Sequence, residues 1–155
     1  MKKIVIGSTQ RHMGKTTLAR RLQQVIPKSI WLKIGNHADT QKTEPLFHHA
    51  EELLDALKKY EQGYDVAIIE SNAILRHIKP DLAIFIKGPA IPMKESAVFV
   101  STIADIMIDA DTALTVEDIS SKVSSLFNGK QPKSGLGECV RVILQFQDEF
   151  HQTTQ

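Results

Sequence analysis

Short, continuous apolar runs alternate with amphipathic stretches along most of this chain, and that alternation limits its fold more than any other feature. Lys3-Ile4-Val5-Ile6 ends at Gly7, and Ser29 to Ile34, Val66-Ala67-Ile68-Ile69, Asp81 to Ile86 and Ile106-Met107-Ile108 follow. Runs of this kind suit strands covered on both faces, as in a parallel sheet. Between them, Leu18, Leu22, Val25 and Ile26 share one helical face until Pro27, and Leu46, Ala50, Leu53, Leu54 and Leu57 mark a second helix that Gly63 terminates. Thr115 with Asp118 resembles a capping pair ahead of Val116, Ile119, Val123, Leu126 and Phe127, with Asn128-Gly129 closing the run. Leu136, Val140, Ile143, Phe146 and Phe150 mark a last helix after a linker from Gly129 to Gly135. Met93 to Ile103 fits strand or helix, with helix favoured. Gly35 to Pro45 reads as a loop, Ser71 to Pro80 has room for one helical turn, and His151 to Gln155 reads as frayed. The alternation predicts βαβ units in an α/β fold, three layers built on a mostly parallel sheet of about five strands.

At 155 residues the chain suits a single domain. Apolar residues at 42% and charged residues at 24% exclude general disorder and fibrous structure. A formal charge of +1 provides no whole-protein field toward nucleic acid or anionic lipid. The lone Cys139 rules out an internal disulfide and falls on the apolar face of the last helix, as a core residue would. Only four residues without a polar side chain, Ile4 to Gly7, follow Met1-Lys2-Lys3, too few for a signal-peptide core, so a cytoplasmic location is expected. No apolar run approaches the roughly 20 residues of a membrane span.

At the junction of the first strand and first helix stands Met13-Gly14-Lys15-Thr16-Thr17. A phosphate-binding loop needs backbone N–H groups converging on one concavity and a glycine where a side chain would collide with phosphate. It also needs a lysine for the β- and γ-phosphates and a hydroxyl for Mg²⁺. Gly14, Lys15 and Thr16 supply the last three. The full pattern, G-x-x-x-x-G-K-[ST], puts its first glycine where this chain has Thr9, and Gly7 lies seven residues before Gly14 rather than five. Either the loop is two residues longer or Thr9 itself takes the turn.

Glu70 closes the third apolar run, at the strand end where α/β proteins bind ligands, and is placed to hold a magnesium-bound water or orient an attacking one. Arg11 and His12 lie inside the phosphate loop. Arg11 fits an internal arginine finger or a solvent-facing cation at a loop tip. Asn36, His37 and Asp39 open the polar loop after the second strand, on the same sheet edge. Asp39 could hold metal or activate water and His37 could contact phosphate, or the run is soluble filler. His48-His49 lack partners at zinc-ligand spacing.

With Gly14-Lys15-Thr16-Thr17-Leu18, Leu32-Lys33 leading into Asn36-His37 and Asp39, and Ile68-Ile69-Glu70, the first half of the chain resembles the molybdopterin-guanine dinucleotide biosynthesis adaptor family. These are small GTP-binding proteins within the wider SIMIBI group of P-loop proteins. The resemblance implies a three-layer P-loop NTPase fold, a nucleotide held with Mg²⁺, and a role beside a protein partner in cofactor maturation, with a homodimer as one arrangement. It departs from that family where Ser71 and Asn72 replace the glycine after the acid and where the histidine follows Lys33 by several residues. The signature lysine of the maturation ATPases is absent from Ser8-Thr9-Gln10-Arg11, and no Asn/Thr-Lys-x-Asp run reads guanine, so GTP and ATP stay open. The leading expectation is a nucleotide-binding adaptor with slow Mg²⁺-dependent hydrolysis. A small-molecule kinase or ligase, or a non-catalytic interaction module with a degenerate loop, are the alternatives.

Overall fold

A computed structural model describes residues 1–35, 45–89, 92–127 and 134–154. Strands β1 (Lys2–Ser8), β2 (Ser29–Ile34), β3 (Leu46–Phe47), β4 (Val66–Glu70), β5 (Leu82–Ile86) and β6 (Ile106–Ile108) form one sheet in the order β3-β2-β4-β1-β5-β6. Every pairing is parallel. The helices are α1 (Lys15–Val25), α2 (Ala50–Tyr60), α3 (Glu95–Ile103), α4 (Val116–Val123) and α5 (Ser134–Thr154), with 3-10 turns at Ala73–Arg76 and Ser124–Phe127.

The strands alternate their side chains between two cores. Ile4, Ile6, Trp31, Ile68, Ile84 and Ile108 face a layer made by α1, α4 and α5, where Leu18, Leu22, Ile119, Ile143 and Phe146 are buried. Val5, Leu32, Ile69 and Phe85 face the opposite layer, where α2, α3 and the first 3-10 turn bury Leu53, Leu57, Val100 and Ile74. The expected α/β architecture, with helices on both faces of a parallel sheet, is therefore present.

Two boundaries differ from the sequence reading, each with a tertiary contact behind it. Leu46 begins no helix. Leu46 and Phe47 instead pair with Lys33 and Ile34 at the sheet edge, adding a sixth strand, and α2 starts at Ala50. There the Glu52 carboxylate accepts from the His48 N–H at 3.0 Å, a bond that also lowers its pKa. Residues 151–154 do not fray. His151 Nε2 lies 2.7 Å from the Asp109 carbonyl, and the Thr153 and Thr154 hydroxyls donate back to the Phe150 carbonyl at 3.0 and 2.9 Å. The helix after Thr115 tightens into a 3-10 turn at Ser124. Its start matches expectation, with Thr115 and Asp118 making both bonds of a capping box. The Met93–Ile103 stretch resolves to helix from Glu95. Most of the Gly129–Gly135 linker lies outside the described residues. No helix among the described residues is long and apolar enough to cross a membrane.

One contact of α5 bears on the sheet's upper edge. A Cβ on Gly14 would come within 2.8 Å of the Phe146 ring, so α5 backs directly onto the loop after β1. Phe146→Ala should lower unfolding free energy in urea by about 3–5 kcal/mol, the range for deleting a buried phenyl ring, with an unchanged m value. A loss under about 1 kcal/mol would show that α5 does not support this loop.

Candidate functional site

The connections of the two central strands define where a ligand fits. From β1 the chain turns into α1 on one face of the sheet, whereas from the adjacent β4 it turns into the 3-10 turn on the other. Adjacent parallel strands that part in this way leave a crevice beyond their carboxyl ends. Lys15, Thr16 and Glu70 all lie at that crevice.

Six residues, Thr9 to Gly14, join β1 to α1. Thr9 does not take the turn that a glycine would. Its N–H bonds the Ile86 carbonyl at 3.1 Å and its hydroxyl accepts from the Gly88 N–H at 2.9 Å, which ties the start of the loop to the end of β5. The left-handed turns fall at His12, with φ 61°, and at Gly14, with φ 86°. Gly14 is thus required twice, by its backbone angle and by the Phe146 ring beneath it. Met13 is half-buried against Gly88, while Arg11, His12 and Thr17 are exposed.

Lys15 and Thr16 open α1 with their side chains already held. The Lys15 ammonium donates to the Ser8 hydroxyl at 2.7 Å, and that hydroxyl donates onward to the Gln10 carbonyl at 2.6 Å. The Thr16 hydroxyl lies 3.0 and 2.9 Å from the two carboxylate oxygens of Glu70. Glu70 ends β4 almost fully buried, at 5% exposure, in register with Ile6 of β1 on one side and Lys33 of β2 on the other. Lys33 completes the cluster, its ammonium 3.4 Å from a Glu70 oxygen.

Burial pushes the Lys15 pKa down. The Glu70 carboxylate partly offsets this, and the positive charges of Lys33 and Arg11 add to the depression. Among the described residues, Lys15, Lys33 and Arg11 therefore gather positive charge around the one carboxylate of Glu70. Adjacent ligands of an octahedral ion bonded at about 2.0–2.1 Å stand about 2.9 Å apart, close to the Thr16–Glu70 spacing. The described residues hold no group of three or more His, Cys, Asp or Glu suited to a metal. A divalent ion here would complete its shell with water and ligand oxygens, as Mg²⁺ does.

The sequence reading located Gly14, Lys15, Thr16 and Glu70, and the structure brings them together. Arg11 reaches the cluster only through its charge. Asn36, His37 and Asp39 lie outside the described residues. Cys139 is core, its thiol pushed up to about 12 by burial. Two further residues belong to the site. Lys33 follows Trp31 on the α1 face of β2, so a charged side chain ends an otherwise buried alternation, and that was its signal. Asn72 sits just past Glu70, and its amide accepts from the Ser8 N–H and donates to the Ser8 carbonyl, both at 2.9 Å. Gly7 makes room for it, since a Cβ there would lie 2.6 Å from the Asn72 oxygen. No family model, curated protein or solved structure matches the chain.

Lys15→Met should stabilise the ligand-free protein at neutral pH, because it removes a partly desolvated charge and leaves neither partner orphaned. Ser8 still donates to Gln10, and Glu70 keeps Thr16 and Lys33. A lysine with a lowered folded pKa binds fewer protons folded than unfolded, so wild-type stability rises with pH between that value and 10.5. The variant's advantage in urea unfolding should accordingly be largest near pH 7 and shrink as pH climbs toward 10.5. An advantage independent of pH would refute the linkage.

Proposed function

We propose that this protein binds a nucleoside triphosphate with Mg²⁺ and hydrolyses it slowly, as a P-loop NTPase of the SIMIBI type. The observation that carries this reading is the direct contact of Thr16, second residue of α1, with the buried carboxylate that ends the neighbouring strand. Gly14, Lys15 and Thr16 then occupy the positions of a phosphate loop, with a left-handed glycine, a poised ammonium and a hydroxyl on the acid.

In this reading the N–H groups at the start of α1 and the Lys15 ammonium, moved off Ser8, receive the β- and γ-phosphate oxygens. The Thr16 hydroxyl and the Glu70 carboxylate are the groups that would hold Mg²⁺. Bound Mg²⁺ neutralises charge on the phosphates. Glu70 is also the group at hand to orient a water toward the γ-phosphorus, whose bond to the β–γ bridging oxygen breaks as the new P–O bond forms. Arg11, exposed at the loop tip, supplies long-range positive charge. A role in molybdenum-cofactor nucleotide attachment, beside a protein partner, rests on the resemblance of the first half of the chain. Lys33, a second cation at the strand ends, favours one further reading, transfer of the γ-phosphoryl group to a small acceptor.

Calorimetry with ATP and GTP, with and without Mg²⁺, tests the binding reading. Lys15→Met should weaken triphosphate binding about 10- to 100-fold, the scale of a lost charge-assisted contact. Unchanged affinity in a folded variant would sink the assignment. Glu70→Gln should lower turnover about 10- to 1,000-fold while triphosphate affinity stays near wild type. Normal turnover in that variant would remove Glu70 from the chemistry.

A further inference from the structure

We propose that Lys33 is a built-in competitor for the divalent ion at Glu70: its ammonium holds the carboxylate in the empty protein, keeps a bare divalent ion out, and lets go when the ion arrives with a triphosphate. This rests on the triphosphate reading above and adds a residue that the reading does not need.

Glu70 has almost no solvent, its side chain 6% exposed, so its charge must be met from within. Thr16 contributes a neutral hydroxyl. Lys15, another ammonium nearby, is engaged by Ser8 at 2.7 Å, which among the described residues leaves Lys33 as the cation in ion-pair contact with the carboxylate. That pairing is enforced by the sheet, because Lys33 and Glu70 are Cα partners on adjacent strands. A divalent ion held by Thr16 and Glu70 would sit within a few ångströms of the ammonium and be repelled by it. Lys33 is 23% exposed on a four-carbon stem, so it has solvent to retreat into. A triphosphate brings the negative charge that offsets both cations, whereas the ion alone brings none. The consequence is order: nucleotide and metal enter together.

The test uses the full chain and Mn²⁺, followed by electron paramagnetic resonance of the free ion, first without nucleotide and then with ATP or GTP. Lys33→Gln keeps an N–H donor on Glu70 and removes the charge, and Lys33→Arg keeps the charge. In the absence of nucleotide, Lys33→Gln should bind Mn²⁺ about tenfold tighter than wild type, while Lys33→Arg stays at the wild-type value. Structural damage would weaken metal binding, so a gain is the discriminating result. Equal or weaker Mn²⁺ binding by folded Lys33→Gln overturns the proposal. If that variant does not fold, the wild-type Lys33 ammonium resonance, assigned against Lys33→Arg, decides. It should move when Mg²⁺ joins the triphosphate complex, and its failure to move overturns the proposal. The same preparations separate the two levels: a wild type that binds neither ATP nor GTP fails the triphosphate reading and this proposal with it. Binding of triphosphate without the Mn²⁺ gain fails the proposal alone.

Discussion

A carboxylate buried at the end of a parallel strand has to be answered by other charges and donors, and the answer given to Glu70 organises the upper edge of this protein. Its oxygens are taken by Thr16 from the start of α1 and by Lys33 from the end of β2. The successive elements α1 and β2 are thereby both fixed to β4, whose Glu70 lies 54 residues beyond Thr16. Leaving such a charge unmet costs several kcal/mol, enough to rival the net stability of a small domain. The geometry of the site is therefore coupled to folding, and the first turn of α1 is held where it is by the acid as much as by its own helix bonds.

The loop between β1 and α1 is held from three further directions. Asn72 closes on both backbone polar groups of Ser8, an approach that Gly7 permits because it has no side chain. Gly88 bonds the Thr9 hydroxyl from the β5 side, and Phe146 of α5 lies against Gly14. Loops that bind anions through backbone N–H groups gain affinity when those groups are already aimed, since the ordering cost is met during folding. The replacement of an expected glycine by Thr9 fits this picture: a side chain that bonds a neighbouring strand does the positioning that backbone freedom would leave undone.

Much of this was legible in the sequence, and what was legible is local. β1, β4 and β5 declare themselves as unbroken apolar runs because both faces of each are covered, and the Thr115–Asp118 capping box is a four-residue signal. Gly14, Lys15, Thr16 and Glu70 are recognisable because their chemistry depends on residue type at fixed places beside a strand end. Leu46 misled because its spacing to Ala50 and Leu53 is helical, while the pairing of Leu46 and Phe47 with Lys33 and Ile34 is a tertiary choice. Asn72 could not be read for the same reason. Its partner Ser8 is 64 residues away, and only the register of β1 beside β4 brings them together. Lys33 stood in plain view at the end of a buried run, but its meaning depends on knowing that β2 and β4 are neighbours.

The sheet order also divides the labour of the crevice. β1 lies between β4 and β5, so the loop that follows it has an acid on one flank and, on the other, the backbone of Gly88. A Cβ at Gly88 would press on the Met13 side chain at 2.8 Å, so close approach is built into that flank. Glu70, Lys33 and Lys15 converge on the β4 side, whereas the contact from the β5 side joins the Gly88 N–H to the Thr9 hydroxyl. Lys15 bears a cost there: burial and the positive charges of Lys33 and Arg11 all press its pKa down against the pull of Glu70, a burden on the folded protein that a polyanion in the crevice would relieve.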